Sequence, residues 1–238
     1  MITFESLEEN LKFLVLEVEN QVTLTFRLLN DADPDLLEKV SAKDDYVDNL
    51  KTIIENECFS RLHGAAGEGS DDIRTIRASH AIAVNLERIA DYCVNIARQT
   101  EYLIDFNQLH QSNFQEMFTL IQSSIEQVLP ALKKQNLPQA LRICRSERQL
   151  DDLYKENFDW IMARLRTGHF VEDLITTLFI FRYLERIGDS LLNIGEALIF
   201  AATGERIKIE QFDALKEVLA RPGLEETLTG AEFKSIWG

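Results

Sequence analysis

The stretch Leu86-Glu87-Arg88-Ile89-Ala90-Asp91 returns 98 residues later as Leu184-Glu185-Arg186-Ile187-Gly188-Asp189, and each copy is followed by an Asn-Ile pair, Asn95-Ile96 and Asn193-Ile194. The punctuation returns too. Pro34 and Pro138 stand 104 residues apart, so breakers and motif keep register within a few residues across a half-chain shift. A repeat of motif together with its breakers marks a duplicated structural unit.

Around these motifs the apolar residues recur at steps of three and four, the spacing of amphipathic helices, and strand alternation is almost absent. Only 10 Gly and 4 Pro interrupt the chain. The first half reads as a helix from Glu5 to Asn30 and a restart at Asp33-Pro34 running to Leu62. A Gly-rich break follows, then a helix capped at Ser70 with Asp71 and Asp72 in its acidic first turn, running to Asp105. The second half reads as Ser112 to Lys134, a Leu137-Pro138 restart to Arg166, a break at Gly168, and Val171 to Thr203. The expectation is an all-α protein: two tandem, sequence-related antiparallel three-helix bundles, residues 1–107 and 108–204, lying side by side. Residues 205–238 read as a short C-terminal appendage with a helical stretch around Phe212 to Ala220.

Composition excludes several classes. With 45% hydrophobic and 27% charged residues over 238 positions, the chain can bury a real core. Its net charge of −15 repels phosphate backbones and anionic membranes, so no nucleic-acid binding is expected. Leu174 to Leu184, the most apolar run, is broken by Arg182 and is far shorter than the roughly 20 residues a membrane helix needs, so no direct membrane insertion is expected. The acidic N-terminus lacks a signal-peptide pattern, so a cytoplasmic location is expected. Cys58, Cys93 and Cys144 show no paired spacing and read as buried small hydrophobes.

One residue round from the expected core stripes lie carboxylates at steps of four. Glu87 and Asp91 are followed by Asn95 on one helix, and Glu185 and Asp189 by Asn193 on its repeat. Asp44 and Asp48, and Glu147 and Asp151, add one further pair to each half. Like charges at this spacing repel, more so where solvent is excluded. Four carboxylates converging in each bundle suit a hard or borderline cation: magnesium, manganese or iron, and zinc less characteristically. Surface salt bridges from Arg88 to Asp91 and from Arg186 to Asp189 are the competing reading. His80 stands seven residues before Glu87 as a further candidate ligand, and ordinary packing explains it as well. Glu55, seven residues beyond Asp48, extends the same face.

The two Leu-Glu-Arg-Ile-Ala/Gly-Asp motifs, each with its Asn-Ile, resemble the duplicated signature of the PhoU family of phosphate-uptake regulators, over about residues 1–204. Ala90 stands where the family usually has glycine. The resemblance implies two three-helix bundles whose acidic motifs bind metal clusters, falling on Glu87, Asp91, Glu185 and Asp189, and on Asp44, Asp48, Glu147 and Asp151. It also implies regulation without catalysis. Such proteins hold back a phosphate ABC transporter, with its ATPase subunit, and a phosphate-sensing histidine kinase; a homodimer is left open. Two other functions use acidic helices in bundles. A di-iron carboxylate oxidase or ferritin-like protein needs Glu-x-x-His, and Ser60, Arg77, Asn107 and Arg166 stand three before the four histidines. A metal-free helical interaction protein would use the same acidic faces on basic partners.

Overall fold

The computed structural model describes residues 4–64, 70–206 and 208, and among them every regular element is helical. In order these are α1 (Phe4–Asp31), α2 (Asp35–Ala42), α3 (Asp44–Gly64), α4 (Ser70–Gln99), a 3-10 turn at Thr100–Tyr102, α5 (Asn107–His110), α6 (Phe114–Glu126), α7 (Val128–Lys133), α8 (Leu137–Leu165) and α9 (Val171–Thr203). The first bundle packs α1 and α3 along α4; the second packs α8 and α6 along α9. The expected helical stretch Phe212 to Ala220 lies outside the described residues, as do the capping side chains expected at Ser70, Asp71 and Asp72.

The two long motif helices form the seam. Arg77 of α4 lies over Phe200 of α9, Asn85 meets Asn193, and Tyr92 stands 6.2 Å from Tyr183, ring centroid to centroid. One number rises as the other falls, so α4 and α9 run antiparallel. The expected core stripes, Leu86, Ile89, Cys93 and Ile96 on α4 and Leu184, Ile187, Leu191, Ile194 and Leu198 on α9, are all buried in one apolar core shared by both bundles. Burying each such side chain contributes about 1.5–3 kcal/mol. α1 and α6 close the other side of the seam, with Gln122 donating to Thr23 at 3.1 Å and Gln115 to Asn30 at 2.9 Å.

Three helices are more broken than the periodicity predicts. The helix expected from Pro34 to Leu62 divides at Lys43, whose carbonyl starts α3 by accepting from Tyr46 and Val47. Asp44 and Asp45 follow at once, and aspartate favours a helix start over an interior. The helix expected from Ser112 to Lys134 divides at Gln127. Pro130 has no N–H for the carbonyl of Glu126 and clashes with it, so the chain restarts with Pro130 in the first turn of α7. The helix expected to reach Asp105 ends at Gln99. Beyond it the connection is pinned by Asp173 of α9, a buried carboxylate that accepts from the backbone N–H groups of Ile104 (2.7 Å) and Asp105 (3.3 Å).

The other boundaries follow local chemistry. Asn136 caps α8 by accepting from Gln139 N–H at 3.1 Å, with Pro138 in the first turn. Gly204 ends α9 at φ 75°, its N–H donating to Phe200 O at 2.8 Å.

Candidate functional site

In the first bundle α3 presents Asp44 and Asp48, and α4 presents Glu87 and Asp91. Packing of α3 on α4 brings the four into one electrostatic neighbourhood. Glu87 is pushed above the ordinary carboxylate range first by burial, then by the charges of Asp91 and Asp48, against relief from Lys51 and Arg88. Asp91 is raised by burial and by Asp48, with Lys51 opposing. Asp44 is raised by burial, then by Asp91 and Asp48, with Arg98 opposing. Among the described residues none of the four makes a salt bridge. Lys51 is engaged with Glu55 at 3.4 Å.

The second bundle repeats the placement with α8 and α9. Glu185 is raised by burial, then by Asp189, and across the helix pair by Asp151, while Arg182 and Arg186 lower it. Its Oε2 is buried without a hydrogen-bond partner. Here, however, cations of the same helices sit on the carboxylates: Arg182 on Glu185 at 2.8 Å, Arg186 on Asp189 at 3.1 Å and Lys155 on Asp151 at 2.6 Å. Glu147, at the α8–α9 contact beneath Gly188, is half-buried and also engaged. Among the described residues the arginine–aspartate salt bridge that competes with metal binding therefore forms in the second repeat and not in the first.

The remaining candidates point elsewhere. His80 stands 3.4 Å from Glu55 and against the ring of Phe59. Asn193 donates to Asn85 across the seam at 3.2 Å. All three cysteines are free and buried, and burial pushes the Cys58 thiol up to about 11 and the Cys93 thiol up to about 12. Among the described residues no three Asp, Glu, His or Cys side chains are arranged to hold a metal ion. The donor set itself is all oxygen, which suits a hard cation, and the Oε2 of Glu185, buried without a hydrogen bond and 3.9 Å from Arg186 Nε, and the unneutralised first-repeat carboxylates are groups that a cation would satisfy. Sequence reasoning missed a cleft beside the N-terminal half of α4, lined by Phe59, Arg77, Arg88 and Phe200. Its only sequence signal was the spacing of Arg77 and Arg88 on one helical face.

A duplicated helical scaffold with one acidic face per repeat, built on its two central antiparallel helices, is the class of protein these features define. The PhoU domain model matches residues 14–100 and again 114–198, so both repeats are covered. The chain belongs to the PhoU domain family. It is 28% identical over 195 residues to a Clostridium acetobutylicum protein named phosphate-specific transport system accessory protein PhoU homolog, covering 80% of this chain and 88% of that one. To the Escherichia coli phosphate-specific transport system accessory protein PhoU it is 27% identical over 210 residues, 85% of each chain. Among solved structures, PhoU from Pseudomonas aeruginosa superposes with a TM-score of 0.75 at 23% identity, over 84% of this chain and 97% of that one. The phosphate transport system regulatory protein PhoU from Streptococcus pneumoniae gives 0.76 at 25%, over 85% and 96%.

Proposed function

We propose that this chain is a regulatory accessory protein of a phosphate transport system, restraining phosphate uptake and phosphate-responsive signalling when phosphate is plentiful. The observation that carries the reading is the family match over both repeats, supported by relatives named as phosphate-transport accessory proteins across most of their length. In this reading it acts without catalysis, in the cytoplasm, docking on the ATPase subunit of the transporter and on a phosphate-sensing histidine kinase. No described helix is long and apolar enough to cross a membrane, so membrane-bound partners would be reached by docking. A homodimer belongs to the same proposal. A deletion strain tests it: constitutive phosphate uptake and phosphate-responsive transcription in rich phosphate are expected, and unchanged uptake and transcription would remove the reading.

The proposal includes a cation, of the class of iron, zinc, manganese or magnesium. Asp44, Asp48, Glu87 and Asp91 would hold it in the first repeat, and Glu147, Asp151, Glu185 and Asp189 in the second. Its chemistry would be charge neutralisation, drawing together carboxylates that otherwise repel. The protein's part is to hold the two acidic helices of each bundle side by side. Elemental analysis of protein purified without a metal-affinity tag tests this, beside a variant with Glu87, Asp91, Glu185 and Asp189 replaced by Ala. Retained metal lost in the variant supports the centres; no metal in either leaves an accessory protein that works without one.

A further inference from the structure

Between α3, α4 and the C-terminal half of α9 runs a cleft of about 520 Å³ whose lining includes none of the eight candidate carboxylates, although His80 and Asn193 border it. Cys58, Leu62, Val84 and Ala197 give the lining an apolar part, and polar side chains, Arg77, Arg88 and Arg206 among them, make up the rest. Three arginines around one cleft are notable in a chain of net charge −15. Among the described residues neither Arg77 nor Arg88 forms an ion pair, although carboxylates are plentiful; Glu196, also in the lining, has an interaction of its own. The Arg77 guanidinium is instead stacked over the Phe200 ring at 4.8 Å from its centroid, which holds it at one end of the cleft.

Arg77, Ala81, Val84 and Arg88 follow one another at i, i+4, i+7 and i+11, a straight stripe on α4. The Cα atoms of the two arginines are therefore roughly 17 Å apart along the helix axis. With Arg77 pinned against Phe200, a small inorganic anion meets one end only. A ligand that satisfies both ends carries acidic groups about three helical turns apart with apolar groups between them. That is the chemistry of an amphipathic helix lying in a groove. Phe59 is half exposed at the edge and offers a further apolar contact.

We propose that this cleft is the docking groove for an acidic amphipathic helical segment of a partner protein, its apolar face on Leu62, Val84 and Ala197 and its terminal carboxylates on Arg77 and Arg88. The proposal goes beyond the accessory role and stands on the cleft alone, so uptake in cells can be unaffected while this binding holds, and the reverse. Fluorescein-labelled designed peptides of four helical turns test it on the full chain by anisotropy. One peptide carries Glu at both ends of a Leu-rich face; the other carries Lys at the same places. The acidic peptide is expected to bind saturably, about tenfold more tightly than the lysine peptide, with the advantage shrinking at high salt. In Arg77→Glu/Arg88→Glu, with unchanged helical circular dichroism, the preference is expected to reverse. Equal binding of both peptides, no binding of either, or an acidic preference that survives the double substitution overturns the proposal. So does binding by a chain ending at Lys208 that the full chain lacks, which would make residues 209–238 the occupant. Inorganic phosphate bound by the wild type and lost in the double variant, with no peptide bound, would make the cleft a small-anion site and also overturn it.

Discussion

Gly195 has no room for a methyl group. A Cβ there would stand 2.2 Å from Cys144 Sγ and 3.1 Å from the Ala140 carbonyl oxygen, and the second contact is backbone that cannot swing aside. Gly188, about two turns earlier, would meet Leu150 Cδ1 at 3.2 Å, the far end of a flexible side chain. Replacing glycine by alanine inside a helix returns about 1 kcal/mol, whereas overpacking a core costs about 1–3 kcal/mol. Gly195→Ala is therefore expected to lower stability by about 1–2 kcal/mol and Gly188→Ala to change it little, as urea unfolding will read. At the position matching Gly188 the first repeat carries a buried Ala90, whose carbonyl oxygen stands 3.5 Å from Gln21 Nε2 of α1. A second residue-scale outcome concerns pH. Burial and mutual repulsion raise Glu87 and Asp91, so each favours its protonated form more in the folded chain than in the unfolded one. Such a shift lends stability below the unfolded carboxylate range and loses it as pH rises through the folded one. In chelator-treated protein Glu87→Gln/Asp91→Asn should raise stability near pH 7.5 by about 0.5 kcal/mol, discounted for solvent screening, or roughly 1–2 °C in Tm. Near pH 4 the gain should shrink, and an equal gain at both pH values would contradict the repulsion argument.

The helices themselves divide into those whose ends are written in the chain and those whose ends are not. Asn136 with Pro138, and Gly204, act through their own side chain or backbone conformation, so local residues suffice to place them. Asn136→Ala should therefore cost about 1 kcal/mol through loss of the Gln139 cap, a drop of roughly 2–4 °C in Tm by calorimetry. A smaller drop would mean that packing of Leu137 and Leu141 alone fixes the start of α8. The break at Gln127 was also legible, because Pro130 forbids an unbroken ladder, yet the apolar period runs straight through it and hides it. The break at Lys43 was not. Nothing forbids a helix there, and Lys43 is drawn instead to Glu17 on α1, at 2.7 Å, a contact set by tertiary packing. The same limit governs the site. A four-residue period put the carboxylates on one face of each helix, but Arg88 and Arg186 stand at identical spacing before Asp91 and Asp189. Only Arg186 turns to its aspartate, while Arg88 lines the cleft.

Across the whole molecule the duplication builds a nearly symmetric frame and fills it unequally. Among the described residues the four carboxylates of the first repeat form no ion pair, and Lys51, Arg88 and Arg98 relieve them only at a distance. Those of the second are already met by Arg182, Arg186 and Lys155. A cation entering the first set relieves repulsion without displacing anything. One entering the second must first displace three neighbouring cations, each held by a partly exposed pair worth about 0.2–1 kcal/mol. On the proposed metal-binding reading, the first repeat is thus the tighter site even though the second carries the fuller motif with its glycine. Titrating the chelator-treated protein with manganese, with free ion followed by electron paramagnetic resonance, should show that Glu87→Ala/Asp91→Ala removes the tighter class of sites. Glu185→Ala/Asp189→Ala should leave that class in place, and Arg182→Gln/Arg186→Gln should tighten the weaker class toward it. Equal loss in the two alanine variants would mean that the arginines yield to the ion at no measurable cost and that the repeats are electrostatic equals.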